Sequence, residues 1–254
     1  FFSPKQRPAW LPEDSPLNRA TLRDVARANA GVTLTALPDT PITFGLRDDG
    51  LAYVLIREMD VTTSMGQGSQ DAMATRFEPL AEILASARGV VIDVRQNPGG
   101  SDPVSFGIVS HFTGTPLTAF TKTTRSGDAQ IAPFTAIVTP HDDTPLTLPV
   151  VVLTSDMTAS AAEIFTLAMR ELPNVTTIGE PTSGGLSDIL GFTLPNGWAF
   201  GLSNQTYLSA NGDLFEGIGI PPDIAVPFVA ADFEAGKDPV LEAAFDHLTT
   251  QIDG

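Results

Sequence analysis

The spacing of apolar residues changes along the chain, and each change predicts an element. From Gln70 to Ala87, Met73, Phe77, Leu80, Ile83 and Leu84 recur three or four positions apart with polar residues between them. That period predicts an amphipathic helix lying on a sheet. The following stretch, GVVIDVR, is almost continuously apolar over a strand's length, so a strand buried on both faces is expected. It runs into the turn QNPGG, and a helix over DPVSFGIVSHF follows at once. The same succession of buried strand, turn and helix recurs at LPVVVLTS, DM and TASAAEIFTLAMREL.

Four prolines between Phe1 and Pro16 predict an extended connector from something upstream, because proline fixes φ and removes a donor. The absence of an initiator Met and of a signal-peptide layout suggests a processed or trimmed chain. LNRATLRDVARANAG predicts a short helix ending at Gly31. VTLTAL, PITFGL and, beyond Asp48-Asp49-Gly50, LAYVLIRE predict strands. Further on, VTTIG, ILGFTL, WAFGLS and QTYLSA read as strands, EPTSGG and LFEGIGIPPDI as loops, and a last helix runs from Pro239 to Gln251. Strands alternating with helices predict an α/β fold. Two parts are expected: residues 1–46 as a linker, short helix and strands left from an upstream domain, and 47–254 as the core.

Composition removes several functions. Of the 254 residues 42% are apolar and 17% charged, enough for a substantial core. Fourteen Lys and Arg against 30 Asp and Glu give a net charge of -16, which opposes binding to nucleic acid or anionic membranes. No apolar run approaches a membrane span. The lack of cysteine excludes disulfides, thiolate zinc sites and a cysteine nucleophile. Three scattered histidines show no zinc spacing, and no phosphate-binding or dinucleotide fingerprint is present, so neither a metal nor a cofactor is expected.

The remaining chemistry concentrates at the two strand-to-helix turns. A serine nucleophile needs an exposed hydroxyl, a base, and amide donors for the developing oxyanion. Val150 to Leu153 would deliver the chain to Ser160, and the next helix would aim its free N–H groups and positive dipole end there. Ala159, Ala161 and Ala162 leave room for a substrate backbone, and Ala161 N–H is placed to donate. Gly99 and Gly100 can expose a second amide without side-chain obstruction. Each feature also has a plain structural explanation: Ser160 and Glu163 form a capping box, and Pro98-Gly99 an ordinary corner.

In order along the chain, YVLI, GVVIDVRQNPGG, VVVLTSDMTASAAEIF, TIGEPTSGG and FEGIGIPPDI resemble the S41 peptidase family. That family includes the C-terminal processing proteases, the tricorn core protease and the interphotoreceptor retinoid-binding protein domains. The resemblance extends over roughly Leu51 to Ile224. It implies a ClpP/crotonase-like ββα core, Ser160 as nucleophile, an oxyanion hole from Ala161 and one of Gly99 and Gly100, and a peptide or protein substrate. Relatives of this kind are commonly exported, so the periplasm or cell exterior is the expected location.

The processing branch pairs its serine with a lysine in the glycine-rich loop, where this chain has Gly185. Lys5, Lys122 and Lys237, the only lysines, lie elsewhere. The tricorn-like branch uses serine, histidine and glutamate; Glu216 in FEGIGIPPD matches that glutamate and would orient an imidazole. The branch's histidine comes from an Asp-Gly-His or Ser-His motif upstream, which these residues do not contain. His111 is expected in or near the core, His141 in a solvated loop and His247 on the exposed side of the last helix. The expected function is therefore serine-peptidase chemistry on Ser160, with the base supplied from outside the chain. The alternative is a non-catalytic module that binds a peptide or apolar ligand on the same core.

Overall fold

A computed structural model describes residues 17–61 and 69–254, so the connector expected before Leu17 lies outside it. The chain opens with α1 (Arg19–Asn29), followed by β1 (Thr35–Ala36), β2 (Ile42–Leu46) and β3 (Leu51–Ile56). Next come α2 (Gln70–Leu84), β4 (Gly89–Asp93) and α3 (Asp102–Val109). Three strands follow: β5 (Leu117–Ser126), β6 (Ala129–Gln130) and β7 (Phe134–Val138). The second strand–helix unit is β8 (Val150–Thr154) and α4 (Ala161–Arg170), followed by β9 (Val175–Gly179), β10 (Leu190–Thr193), β11 (Ala199–Leu202), β12 (Gln205–Ser209) and β13 (Ile224–Ala225). Two helices, α5 (Ala230–Glu234) and α6 (Pro239–Asp253), end the chain.

The main sheet has the order β1-β2-β3-β4-β8-β9-β13. Strands β3, β4, β8, β9 and β13 are parallel, while β1 and β2 add an antiparallel edge. Strand residues alternate between two cores because successive side chains point to opposite faces. Leu51, Tyr53, Leu55, Val91, Val151 and Leu153 face one core, shared with Leu22 of α1 and Val240, Leu241 and Leu248 of α6. Ala52, Val54, Ile56, Val90, Ile92, Val150 and Val152 face the other, shared with residues of α2, α3 and α4. Burial on both faces explains why the central strands read as unbroken apolar runs.

A second sheet, in which β5 pairs with β6, β7 and β12, covers the outer side of α4 and adds Phe120, Ala136, Val138 and Tyr207 to that core. QTYLSA predicted β12, but nothing in the pattern between Phe112 and Leu148 predicted β5, β6 or β7. β5 is LTAFTKTTRS, rich in threonine and only half-buried, so it lacks the continuous apolar run that marks β4 and β8.

Parallel strands bring β4 and β8 side by side and carry both chains to the same sheet edge. Their end is braced from below by a buried ionic cluster. Arg95 donates to both carboxylate oxygens of Asp93 (3.0 and 2.6 Å) and of Asp238 (both 2.7 Å), and Tyr53 Oη donates to Asp93 at 2.8 Å. A buried arginine is tolerable when carboxylates neutralise it in this forked geometry. Asp238 also caps α6 through Leu241 N–H, so one cluster anchors the end of β4 to the opposite helix layer.

Candidate active site

The two strand-to-helix turns meet. Asn97 binds across them: its side-chain NH2 donates to the Ile56 carbonyl at 3.1 Å, its side-chain oxygen accepts Gly99 N–H at 2.9 Å, and its backbone carbonyl accepts Ala159 N–H at 3.0 Å. Met59 locks the other side, donating to the Gly99 carbonyl at 2.8 Å and accepting Ser101 N–H at 2.6 Å. A Cβ on Gly99 would lie 2.6 Å from Ser160 Cβ and 3.0 Å from Ala161 N, and one on Gly100 would lie 2.2 Å from the Met59 carbonyl oxygen. Their φ values of +100° and +148° add to the requirement for glycine.

Gly99, Gly100, Ser160 and Ala161, named separately from sequence, are thus brought together. Gly99 N–H is already donated to Asn97. Gly100 N–H and Ala161 N–H have no acceptor among the described residues. Ser105 Oγ donates to the Ala161 carbonyl at 2.7 Å, joining the first turns of α3 and α4.

Ser160 is partly exposed, and its backbone has φ 55° and ψ -126°. That conformation belongs to the first corner of a type II′ turn, where glycine is the usual residue. A serine held there stores strain of about 1–3 kcal/mol, retained only where the surroundings over-determine it. The residue forms a capping box with Glu163, whose Oε2 accepts Ser160 N–H at 2.9 Å, but a capping serine ordinarily has an extended backbone rather than a positive φ. Capping alone therefore does not account for a serine in this strained conformation.

Glu216 accepts Leu186 N–H and Ser187 N–H, both at 3.0 Å and both on the same oxygen, Oε2. Its residue lies one step along the chain from Gly217, which donates to the Gly184 carbonyl at 2.7 Å. The Gly185 carbonyl, in the glycine-rich loop, accepts Ser160 N–H at 3.1 Å. The glycine-rich loop therefore touches both the Ser160 turn and the Glu216 loop.

The histidines stand elsewhere. His111 is buried about 13 Å beyond the start of α3, given the helical rise. It bonds the Ala74 carbonyl at 2.9 Å, and burial lowers its pKa. His141 stacks on it with ring centroids 4.3 Å apart, rather than lying free in solvent. His247 belongs to α6, on the opposite face of the sheet from α4. Among the described residues no group of three or more His, Cys, Asp or Glu side chains is placed to hold a metal.

Several supporting residues carried no motif signal. Arg19 donates to the Met157 carbonyl at 3.2 Å, and Arg23 donates to the Gln96 carbonyl at 2.7 Å, so α1 braces both turns. Burial lowers the pKa of both guanidinium groups, Arg19 to about 10. Asp102 opens α3 two residues after Gly100; burial, then the nearby Asp188 carboxylate, push its carboxyl up to about 6, while Lys122 opposes the shift. Lys122 itself donates to Asp188 at 2.8 Å and to Tyr207 Oη at 3.0 Å.

Comparison with known proteins decides the family. The model for peptidase family S41 matches residues 50–226. The chain belongs to that family. The carboxy-terminal processing protease CtpA of Bacillus subtilis is 24% identical over 208 residues, covering 82% of this chain and 41% of that protein. A carboxyl-terminal-processing protease of Synechocystis is 32% identical over 167 residues, 64% of this chain and 37% of that protein. The chain thus spans about two fifths of the length of these relatives. The crystal structure of a candidate peptidase from Parabacteroides merdae superposes with a TM-score of 0.74 at 29% identity, over 89% of this chain and 69% of that one.

Proposed function

We propose that this S41 core is a serine peptidase that cleaves peptide bonds through an acyl-enzyme on Ser160. The observation that carries the reading is the strained Ser160 backbone set beside two undonated amides, Ala161 N–H and Gly100 N–H. Ser160 Oγ attacks the scissile carbonyl carbon while a base takes its proton. The two amides stabilise the resulting oxyanion. Collapse breaks the C–N bond, the base returns the proton to the leaving amine, and water then hydrolyses the ester by the same steps. Gly99 supports this hole by shape, since its own N–H is donated to Asn97.

Glu216 fits the role of orienting the base: one oxygen is fixed by Leu186 and Ser187, and the other has no partner among the described residues. The base in this reading is an imidazole from polypeptide outside these residues, because His111, His141 and His247 stand away from Ser160. A protein or peptide substrate and export to the periplasm or cell exterior belong to the same proposal; among the described residues no helix is long and apolar enough to cross a membrane.

Ser160→Ala in the full-length polypeptide tests the reading. Peptide hydrolysis should fall to the residual catalysis that an oxyanion hole and binding supply without a nucleophile, about 10³- to 10⁴-fold over water in triad enzymes. Wild-type turnover in that variant would exclude Ser160 as nucleophile. A binding module on the same core is the competing reading, favoured by the distance of all three histidines from the serine. It predicts no hydrolysis by the wild-type polypeptide and unaltered peptide binding by Ser160→Ala.

A further inference from the structure

The Glu163 side chain is fully buried, at 0% exposure, yet it reaches beyond its own helix. Oε2 accepts Ser160 N–H and Gly185 N–H, both at 2.9 Å; Oε1 accepts Gly184 N–H at 2.7 Å and Thr182 Oγ1–H at 2.6 Å. The next two amides along that loop, Leu186 and Ser187, go to Glu216 Oε2. Four consecutive amides, 184 to 187, are therefore divided between two carboxylates, one on α4 and one on the loop before β13. Thr182 extends the connection: its hydroxyl oxygen also accepts Ile220 N–H at 2.7 Å, four residues past Glu216.

A capping glutamate needs only the N-cap amide and works well in solvent. Burying a carboxylate costs several kcal/mol unless it is fully hydrogen-bonded. The three additional donors, all about twenty residues away in sequence, offset that cost and join segments that helix capping does not involve.

We propose that Glu163 is a positioning residue that holds the Ser160 backbone and the Glu216 carboxylate in one rigid unit through the loop 182–187. Its catalytic consequence rests on the reading of Ser160 as nucleophile; its structural consequence does not. Glu163→Gln preserves shape but presents an NH2 group to two of the four donors, so the unit loosens. Thr182→Val is the milder companion, cutting the connection from Glu163 to Ile220.

Amide hydrogen exchange on the full-length polypeptide, resolved by residue, tests the coupling. Glu163→Gln should speed exchange about tenfold or more at Leu186 and Ser187, whose own acceptor Glu216 is unchanged, as well as at Ser160, Gly184 and Gly185. Thr182→Val should act in the same direction and less strongly. Faster exchange confined to Ser160, Gly184 and Gly185 would reduce Glu163 to a local cap and overturn the proposal. In hydrolysis, Glu163→Gln should lower kcat about tenfold or more with KM nearly unchanged, as misplacement of reacting groups does. Combining it with Glu216→Gln should cost less than the product of the two single losses. Unchanged kcat in Glu163→Gln, or fully multiplicative losses, would contradict the coupling. If the wild-type polypeptide hydrolyses nothing, the nucleophile reading fails and the exchange pattern alone decides the clamp.

Discussion

The turns around Ser160 and the hairpin β10–β11, which follows β9 and the glycine-rich loop, are built on opposite terms. The turns are enclosed by β4, β8, α1, α3, α4 and two loops, and most of their backbone N–H groups are bonded, those of Gly100 and Ala161 excepted. Among the described residues the hairpin pairs only with itself, Leu190 opposite Leu202 and Phe192 opposite Phe200. It exposes Ile189, Leu190, Phe192, Leu194 and Leu202, and Trp198 is 72% exposed. A serine can be kept at positive φ in the first setting because its neighbours allow no alternative; a lone two-stranded hairpin has no such means and is at best marginally stable in water. Strain can be retained at the turns but not at the hairpin.

Glycine substitution provides the sharpest contrast. Gly100→Ala would place a Cβ 2.2 Å from the Met59 carbonyl oxygen at a φ of +148°, so a loss of about 3 kcal/mol or more is expected, read as a lowered denaturation midpoint with unchanged m. A tolerated Gly100→Ala would show that the turn is loosely held.

Asp102→Asn has an effect that depends on pH. The Asp102 carboxyl, raised from 3.8 to about 6 by burial and then by Asp188, holds its proton in the folded protein where the unfolded chain has lost it. Wild-type stability from this group is therefore complete below pH 4 and declines as the pH rises through 6. Asp102→Asn should raise stability at pH 7 by up to about 2 kcal/mol, allowing for partial exposure, with no gain at pH 4. Denaturant titrations at the two pH values check it; equal effects at both would exclude the burial.

Ser160→Gly should stabilise the fold by about 1 kcal/mol by removing the strained Cβ, while abolishing acyl transfer. Ser160→Ala, which keeps the strain, should not show that gain. Gly191→Ala in the hairpin should change stability by less than about 0.5 kcal/mol, because among the described residues no atom beyond its chain neighbours lies within 4 Å of the added Cβ. A large loss there would mean that the hairpin is packed against something.

Much of this contrast was legible in the sequence, through short-range signals. GVVIDVR and LPVVVLTS announce strands buried on both faces, and NPGG and TASAAE mark the turns at their ends. What stayed hidden depends on contacts between distant segments. The strands β5 and β7 have mixed burial and no clear period. Glu163 reads as a cap because the sequence shows the N-cap three residues away and not the loop twenty residues on. Likewise Arg19 and Arg23 look like solvent-facing charges of a short helix, and only the tertiary fold turns them onto the Met157 and Gln96 carbonyls.

The most direct measurement is fluorophosphonate labelling of the full-length polypeptide, followed by peptide mapping. A stoichiometric adduct on Ser160, absent in Ser160→Ala, is the predicted result. A folded, full-length protein that carries no adduct would contradict an activated serine at this turn.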